Sequence, residues 1–146
     1  MFLFEGGLSF CAVCVRLPFM KKLGKVLLNG VILEKHEQKT IVFLTELGWD
    51  VELIKPIDKK GIHTPDIKML GEEWEIKSPK GEGDSVMKNT LQRAAKQSKN
   101  VIVDLRRTKR YQKKCLAELQ REFDNSKRLR KLKIITKSKR ILDFIR

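Results

Sequence analysis

Residues 66–77, Asp66-Ile67-Lys68-Met69-Leu70-Gly71-Glu72-Glu73-Trp74-Glu75-Ile76-Lys77, alternate apolar and polar side chains on either side of a Leu-Gly pair. A period of two is a strand signal, and a glycine between two such runs marks a tight connection. The segment therefore predicts a β-hairpin with strands at 66–70 and 72–77. Trp74 and Ile76 share the core face with Ile67, while Glu73, Glu75 and Lys77 share the other. If Leu70 and Gly71 form the loop, Met69 faces Glu72 and Asp66 faces Glu75. A loop at Gly71-Glu72 sets Asp66 opposite Lys77 instead. Either register leaves Asp66 on the Glu75/Lys77 face; a three-residue loop with a bulge would break that parity.

The flanking segments supply the rest of an α/β domain. Upstream, Glu34–Gly48 reads as a helix with Ile41, Leu44 and Leu47 at helical spacing and Gly48 as its terminator. Asp50–Pro56 reads as a strand, and a loop runs to Pro65. Downstream, Ser78–Asp84 is loop and Met87–Asn100 has helical composition. Val101–Leu105 is a near-continuous apolar strand of the sheet-centre kind. Lys109–Phe123 is an amphipathic helix, Leu132–Thr136 a last strand and Ile141–Ile145 a short apolar end. The order α-β-β-β-α-β-α-β predicts a single domain, a central mixed sheet flanked by helices, over residues 30–146. Residues 1–29 are expected to be a leader or flexible extension, with residues 1–19 a misassigned leader or disordered.

The 146 residues carry 32 Lys+Arg and 18 Asp+Glu, a formal charge of +14. Residues 1–105 hold 16 cations and 14 acids, whereas residues 106–146 hold 16 cations and 4 acids. A near-neutral body with a basic end favours a polyanionic partner. The first charge is Glu5 and the first cation Arg16, the wrong order for a signal peptide. The apolar run Gly6–Val15 is too short to span a bilayer, for which ~20 residues are needed. Three cysteines make no disulfide framework, and Cys11-x-x-Cys14 lacks the further ligands of a zinc site. The expected location is the cytoplasm, with no membrane partner.

Asp66 and Glu75 beside Lys77 have the residue types that metal-assisted phosphodiester cleavage requires. Hard carboxylate oxygens suit a divalent ion, and an ammonium can orient water and offset developing charge. The same three residues also fit an ordinary solvated hairpin face.

The run Thr64-Pro65-Asp66, followed by Trp74-Glu75-Ile76-Lys77-Ser78-Pro79-Lys80-Gly81, resembles the PD-(D/E)xK nuclease superfamily. More narrowly, it is similar to the nuclease domain at the toxic C-terminus of contact-dependent growth inhibition proteins and to relatives in mobile elements. Lys35-His36-Glu37, Leu47-Gly48-Trp49-Asp50-Val51 and Ala95–Leu105 add to the likeness, which covers about residues 34–146.

The resemblance implies a restriction-endonuclease-like core and a divalent ion held by Asp66, Glu75 and the main-chain carbonyl of Ile76. It gives Lys77 the attacking water. Glu37, or alternatively Glu34, would be the helix acid that joins the metal directly or through water. Mg²⁺ is the expected ion, with Mn²⁺ or Zn²⁺ as alternatives. Structured RNA of the transfer-RNA kind is the expected substrate, with DNA as the alternative and an immunity or inhibitor protein as a further partner.

The expected nucleic-acid contacts are Lys80, Gln97, Arg106, Arg107, Lys109 and Arg110. Gln97 is equally readable as a buttress or a surface residue. Asp104 is expected to cap or pair, and His63 to have no role. The similar toxins are tails of very large exported proteins, whereas this chain is short, so a free-standing nuclease of a mobile element is an equal expectation. The rival class is a non-enzymatic nucleic-acid binder using the basic C-terminal third.

Overall fold

The computed structural model describes residues 22–146. In chain order its elements are β1 (Val26–Leu27), α1 (Lys35–Glu46), β2 (Val51–Leu53), β3 (Ile67–Met69) and β4 (Glu72–Lys77). They continue with α2 (Val86–Ala94), β5 (Asn100–Asp104), a 3-10 turn (Leu105–Arg107), α3 (Gln112–Asn125), β6 (Lys131–Ile135) and β7 (Ile141–Ile145). The seven strands form one mixed sheet in the order β1-β2-β3-β4-β5-β6-β7. The β4/β5 and β5/β6 pairs are parallel, and β2/β3, β3/β4 and β6/β7 are antiparallel. The α/β architecture is the expected one, with a short β1 and a full β7 added at the edges.

Both faces of the sheet are covered. Ile41, Phe43 and Leu44 of α1 pack with Val51, Ile67, Trp74 and Ile102 on one face. Met87 and Leu91 of α2, with Leu119 and Phe123 of α3, pack with Val101, Val103, Leu132 and Ile134 on the other. All five residues of β5 are buried, which is why its sequence is an apolar run rather than an alternation.

Two local geometries anchor the site's framework. The turn joining β3 to β4 has Leu70 at φ 56° and Gly71 at φ 76°, the double positive φ of a type I′ connection. Helix α1 ends on Gly48 at φ 91°, with its N–H donating to Thr45 O (2.9 Å) and Trp49 N–H donating to Leu44 O (3.3 Å). That is a Schellman stop, and it needs a residue tolerant of the left-handed region.

Several expected boundaries move for identifiable reasons. The strand expected over 50–56 is paired only over Val51–Leu53, because its neighbour β3 is three residues long. The helix expected over 87–100 ends at Ala94; Ser98 Oγ then donates to Glu73 O (3.2 Å), and Asn100 has entered β5. The 141–145 end pairs with β6 along its whole length. Val26–Leu27, within the stretch expected to be an extension, pairs with β2. Residues 1–21, with Cys11 and Cys14, lie outside the described residues.

Leu70 is a branched residue held at positive φ with its side chain half exposed. Leu70→Asn should therefore stabilise the fold by about 0.5–1 kcal/mol, since Asn tolerates the left-handed region better. A urea titration should show a higher midpoint at unchanged slope. A lower midpoint would mean that Leu70 packing outweighs backbone strain.

Candidate active site

The hairpin register is Met69↔Glu72, Lys68↔Glu73 and Ile67↔Trp74, the first of the two expected alternatives. It brings Asp66, one residue before β3, level with Glu75. Asp66 O accepts from Ile54 N–H (2.9 Å) and its N–H donates to Trp74 O (3.0 Å), so its backbone is fixed on both sides. Its Oδ2 accepts the main-chain N–H of Ile76 (2.7 Å). Backbone N–H and C=O of one strand residue point to the same edge, so the Ile76 carbonyl also faces the edge where Asp66 stands.

Glu75 stands on the β4 face that α2 covers, and its residue is only 2% exposed. The alternation therefore separates two buried faces rather than core from solvent. Glu75 Oε2 accepts from Lys77 Nζ (2.5 Å) and from the Gln97 amide (2.9 Å). Its other oxygen, Oε1, is buried with no hydrogen-bond partner. Burial pushes the Glu75 carboxyl up to about 7, against the pull of Lys77 and with the Asp66 charge adding to the rise. Burial raises Asp66 as well, opposed by the Ile76 N–H and Lys77 and reinforced by the charge of Glu37.

The site opens into a cleft of about 310 Å³ whose lining includes His36, Glu37, Asp66, Glu75, Lys77 and Arg93. Glu37 reaches this wall from the first turn of α1, and its Oε2 accepts the Glu34 N–H (2.7 Å). The carboxylate is thus engaged at the helix N-terminus as well as bordering the cleft. Among the described residues no three His, Cys, Asp or Glu side chains are grouped to hold a metal ion. The donors that do converge are two carboxylates and the Ile76 carbonyl edge, with one carboxylate oxygen left without a partner. That set suits a hard ion that keeps much of its water, as Mg²⁺ does, and contains no imidazole or thiolate of the kind zinc favours.

The expected phosphate contacts divide. Arg106 is committed to the protein: its Nη2 donates to Asp104 Oδ2 (2.8 Å) and to Lys39 O (3.0 Å), and its guanidinium lies over Phe43. Arg110 is held by Glu118 (2.5 Å) and Asp84 (3.2 Å). Both side chains are therefore engaged within the structure, Arg110 nearly buried and Arg106 also lining a groove beside the cleft. Arg107 is exposed, with two donations to Ser78 O (2.8 and 3.2 Å). Lys80 and Lys109 are exposed, outside the lining of the cleft. Gln97 buttresses Glu75.

Asp104 pairs as expected. Burial raises its carboxyl, but the bonds from Arg106 and Thr40 outweigh that and hold it below its ordinary value. His63 is exposed and lies away from the cleft lining. Sequence reasoning passed over Thr90 and Arg93, which also line the cleft. Thr90, Arg93 and Gln97 recur at helical spacing, which was the available signal.

The sequence model of the contact-dependent growth inhibition CdiA C-terminal domain matches residues 63–141, just over half of the chain. The chain belongs to the CdiA C-terminal domain family. No curated protein matches it. Among solved structures it is similar to a chain of the CdiA-CT/CdiI toxin and immunity complex from Burkholderia pseudomallei. That likeness has a TM-score of 0.63 at 16% identity and covers 84% of this chain and 100% of the other. At such identity it speaks for the fold alone. The CdiA C-terminal domain match spans Asp66, Glu75, Ile76 and Lys77, while Glu37 and the rest of α1 lie before it. No helix among the described residues is long and apolar enough to cross a membrane.

Two outcomes follow from these charges. Because folding raises the Glu75 pKa, the native state binds more protons than the unfolded chain between pH 4.5 and about 7. The Glu75 contribution to stability in EDTA should therefore be fully present below that window and be lost as pH rises through it. Glu75→Gln should flatten the fall and gain roughly 1–3 kcal/mol at pH 8 in denaturant titrations. Arg106→Gln should instead lose about 2–4 kcal/mol, because it strands the buried Asp104 carboxylate.

Proposed function

We propose that this domain is a divalent-metal-dependent nuclease of the PD-(D/E)xK type that hydrolyses phosphodiester bonds as a toxin. The observation that carries the reading is the convergence of Asp66, Glu75 and Lys77 on one cleft, with Glu75 Oε1 buried and unpartnered. A buried carboxylate oxygen without a donor costs about 1–3 kcal/mol or more, a cost that a bound cation would offset.

Asp66, Glu75 and the Ile76 carbonyl would hold the ion. When bound, it would polarise a phosphate oxygen and acidify a water ligand. The remaining roles fall to the chain's own side chains. The Ile76 N–H fixes the Asp66 carboxylate, and the Gln97 amide fixes Glu75 Oε2, so neither acid needs to reorganise before substrate arrives. Lys77 Nζ, a quarter exposed and now on Glu75, is the donor placed to orient the attacking water and to meet charge developing on the phosphate. Glu37 lines the same cleft and would be the further acid that the resemblance assigns to the ion, directly or through water.

Structured RNA is the favoured substrate through the sequence resemblance, with DNA as the alternative substrate of the same chemistry. The similar Burkholderia chain comes from a toxin and immunity complex, which supports an immunity protein as a partner here.

The test is cleavage of mixed transfer RNA and of plasmid DNA with Mg²⁺, Mn²⁺, Zn²⁺ or EDTA. The wild type should cut in a metal-dependent way. Glu75→Ala and Lys77→Ala should lower turnover by at least ~100-fold while retaining a native circular-dichroism spectrum. Undiminished turnover in Lys77→Ala would end its catalytic assignment. Salt-sensitive binding without cleavage by any of the three proteins would leave the non-enzymatic binder as the better account.

A further inference from the structure

Beside the acidic cleft lies a second groove of about 460 Å³, between α1 and the 3-10 turn that follows β5. Its walls carry Lys35, His36 and Lys39 from α1 and Arg107 from the turn. His36 and Ser78 line both cavities, so the two lie side by side across a shared ridge. Lys35 and Lys39 are one helical turn apart, exposed, and make no side-chain ion pair among the described residues. The one acid in the lining, Asp104, is 3% exposed and already neutralised by Arg106. The groove is therefore net positive and adjoins the carboxylate site.

We infer that this groove takes the phosphate backbone of the nucleic acid next to the bond to be cut, with Lys35, Lys39 and Arg107 as its phosphate contacts. The inference rests on the nuclease reading for its substrate. Arg107 contributes twice: it donates to Ser78 O and so fixes the ridge, and its exposed guanidinium faces the groove. The track thus draws on Lys35 and Lys39 of α1 and, from the basic C-terminal third, on Arg107 at its very start. Contacts of this kind set register without reading sequence.

The test is binding rather than cutting. Anisotropy of a fluorescein-labelled RNA hairpin and of a DNA duplex would be followed from about 50 to about 200 mM salt in EDTA, so that substrate stays intact. Lys35→Gln with Lys39→Gln should weaken binding about tenfold or more at the lower salt. It should also flatten the log–log salt slope by roughly 1.4–1.8, at about 0.7–0.9 per phosphate contact. Arg107→Lys, which keeps the charge, should bind nearly as the parent does, whereas Arg107→Gln should not.

A control triple at the opposite end of β5 and β6, Lys127→Gln, Arg128→Gln and Arg130→Gln, should leave the slope near the parental value. An unchanged slope in the α1 variant, or the whole loss appearing in the control triple, would overturn the inference, as would a parent that binds neither probe. Cleavage by the parent alongside an unchanged slope would sink the groove alone. A flattened slope in a protein that never cuts would sink the nuclease reading and leave the groove standing.

Discussion

The two-residue connection at Leu70-Gly71 holds Met69 against Glu72, and the arrangement of the cleft depends on that pairing. β3 begins at Ile67, so Asp66 falls just before the first paired residue, where its carboxylate can turn onto the Ile76 N–H. A slip of one residue would carry Glu75 to the α1 face among Ile41, Leu44 and Ile67, send Trp74 to the other face and separate Glu75 from Asp66. The covered face of β4 adds the second condition. Packing of α2 over the sheet leaves Glu75 dry, and dryness sets its affinity for a proton or a cation.

The site works against the stability of the fold that carries it. Two acids and one lysine are gathered where water is scarce, and only Lys77, Gln97 and one backbone N–H meet the acids. The surrounding structure offsets this with well-satisfied pairs elsewhere. Asp104 is fully bonded by Thr40 and Arg106, and Lys133 joins Asp143 (2.6 Å) while lying over the rings of Trp49 and Trp74. The buried groups left incomplete are at the cleft and at the Arg110–Glu118 pair.

The excess positive charge has a more structural meaning than its amount suggests. Of the cations after residue 105, Arg106 and Arg110 are ion-paired, and Lys131 is bound to Glu72. Arg146 donates to the carbonyls of Phe123, Asp124, Ser126 and Leu129, closing the C-terminal end of α3. These side chains staple the second half of the sheet to its helices. The cations free to meet a polyanion beside the carboxylates come chiefly from α1, in the part of the chain whose net charge is nearly zero.

Sequence alone determined the hairpin, the helix ending at Gly48, the central β5 and the residue types of the carboxylate–lysine cluster, because each is written in local periodicity or turn chemistry. The alternation in Glu72–Lys77 showed which side chains share a face. It could not show that α2 buries the Glu75 face, because burial depends on an element that packs there from elsewhere in the chain. For the same reason the run Arg106–Arg110 reads as one phosphate track, whereas Asp104, Asp84 and Glu118 engage Arg106 and Arg110 and leave Arg107 exposed. Gln97 read as a surface residue or a buttress until it was found on Glu75. Residue type and spacing are local properties, whereas dielectric surroundings, partners and the adjacency of two clefts that share His36 and Ser78 arise only when distant segments meet.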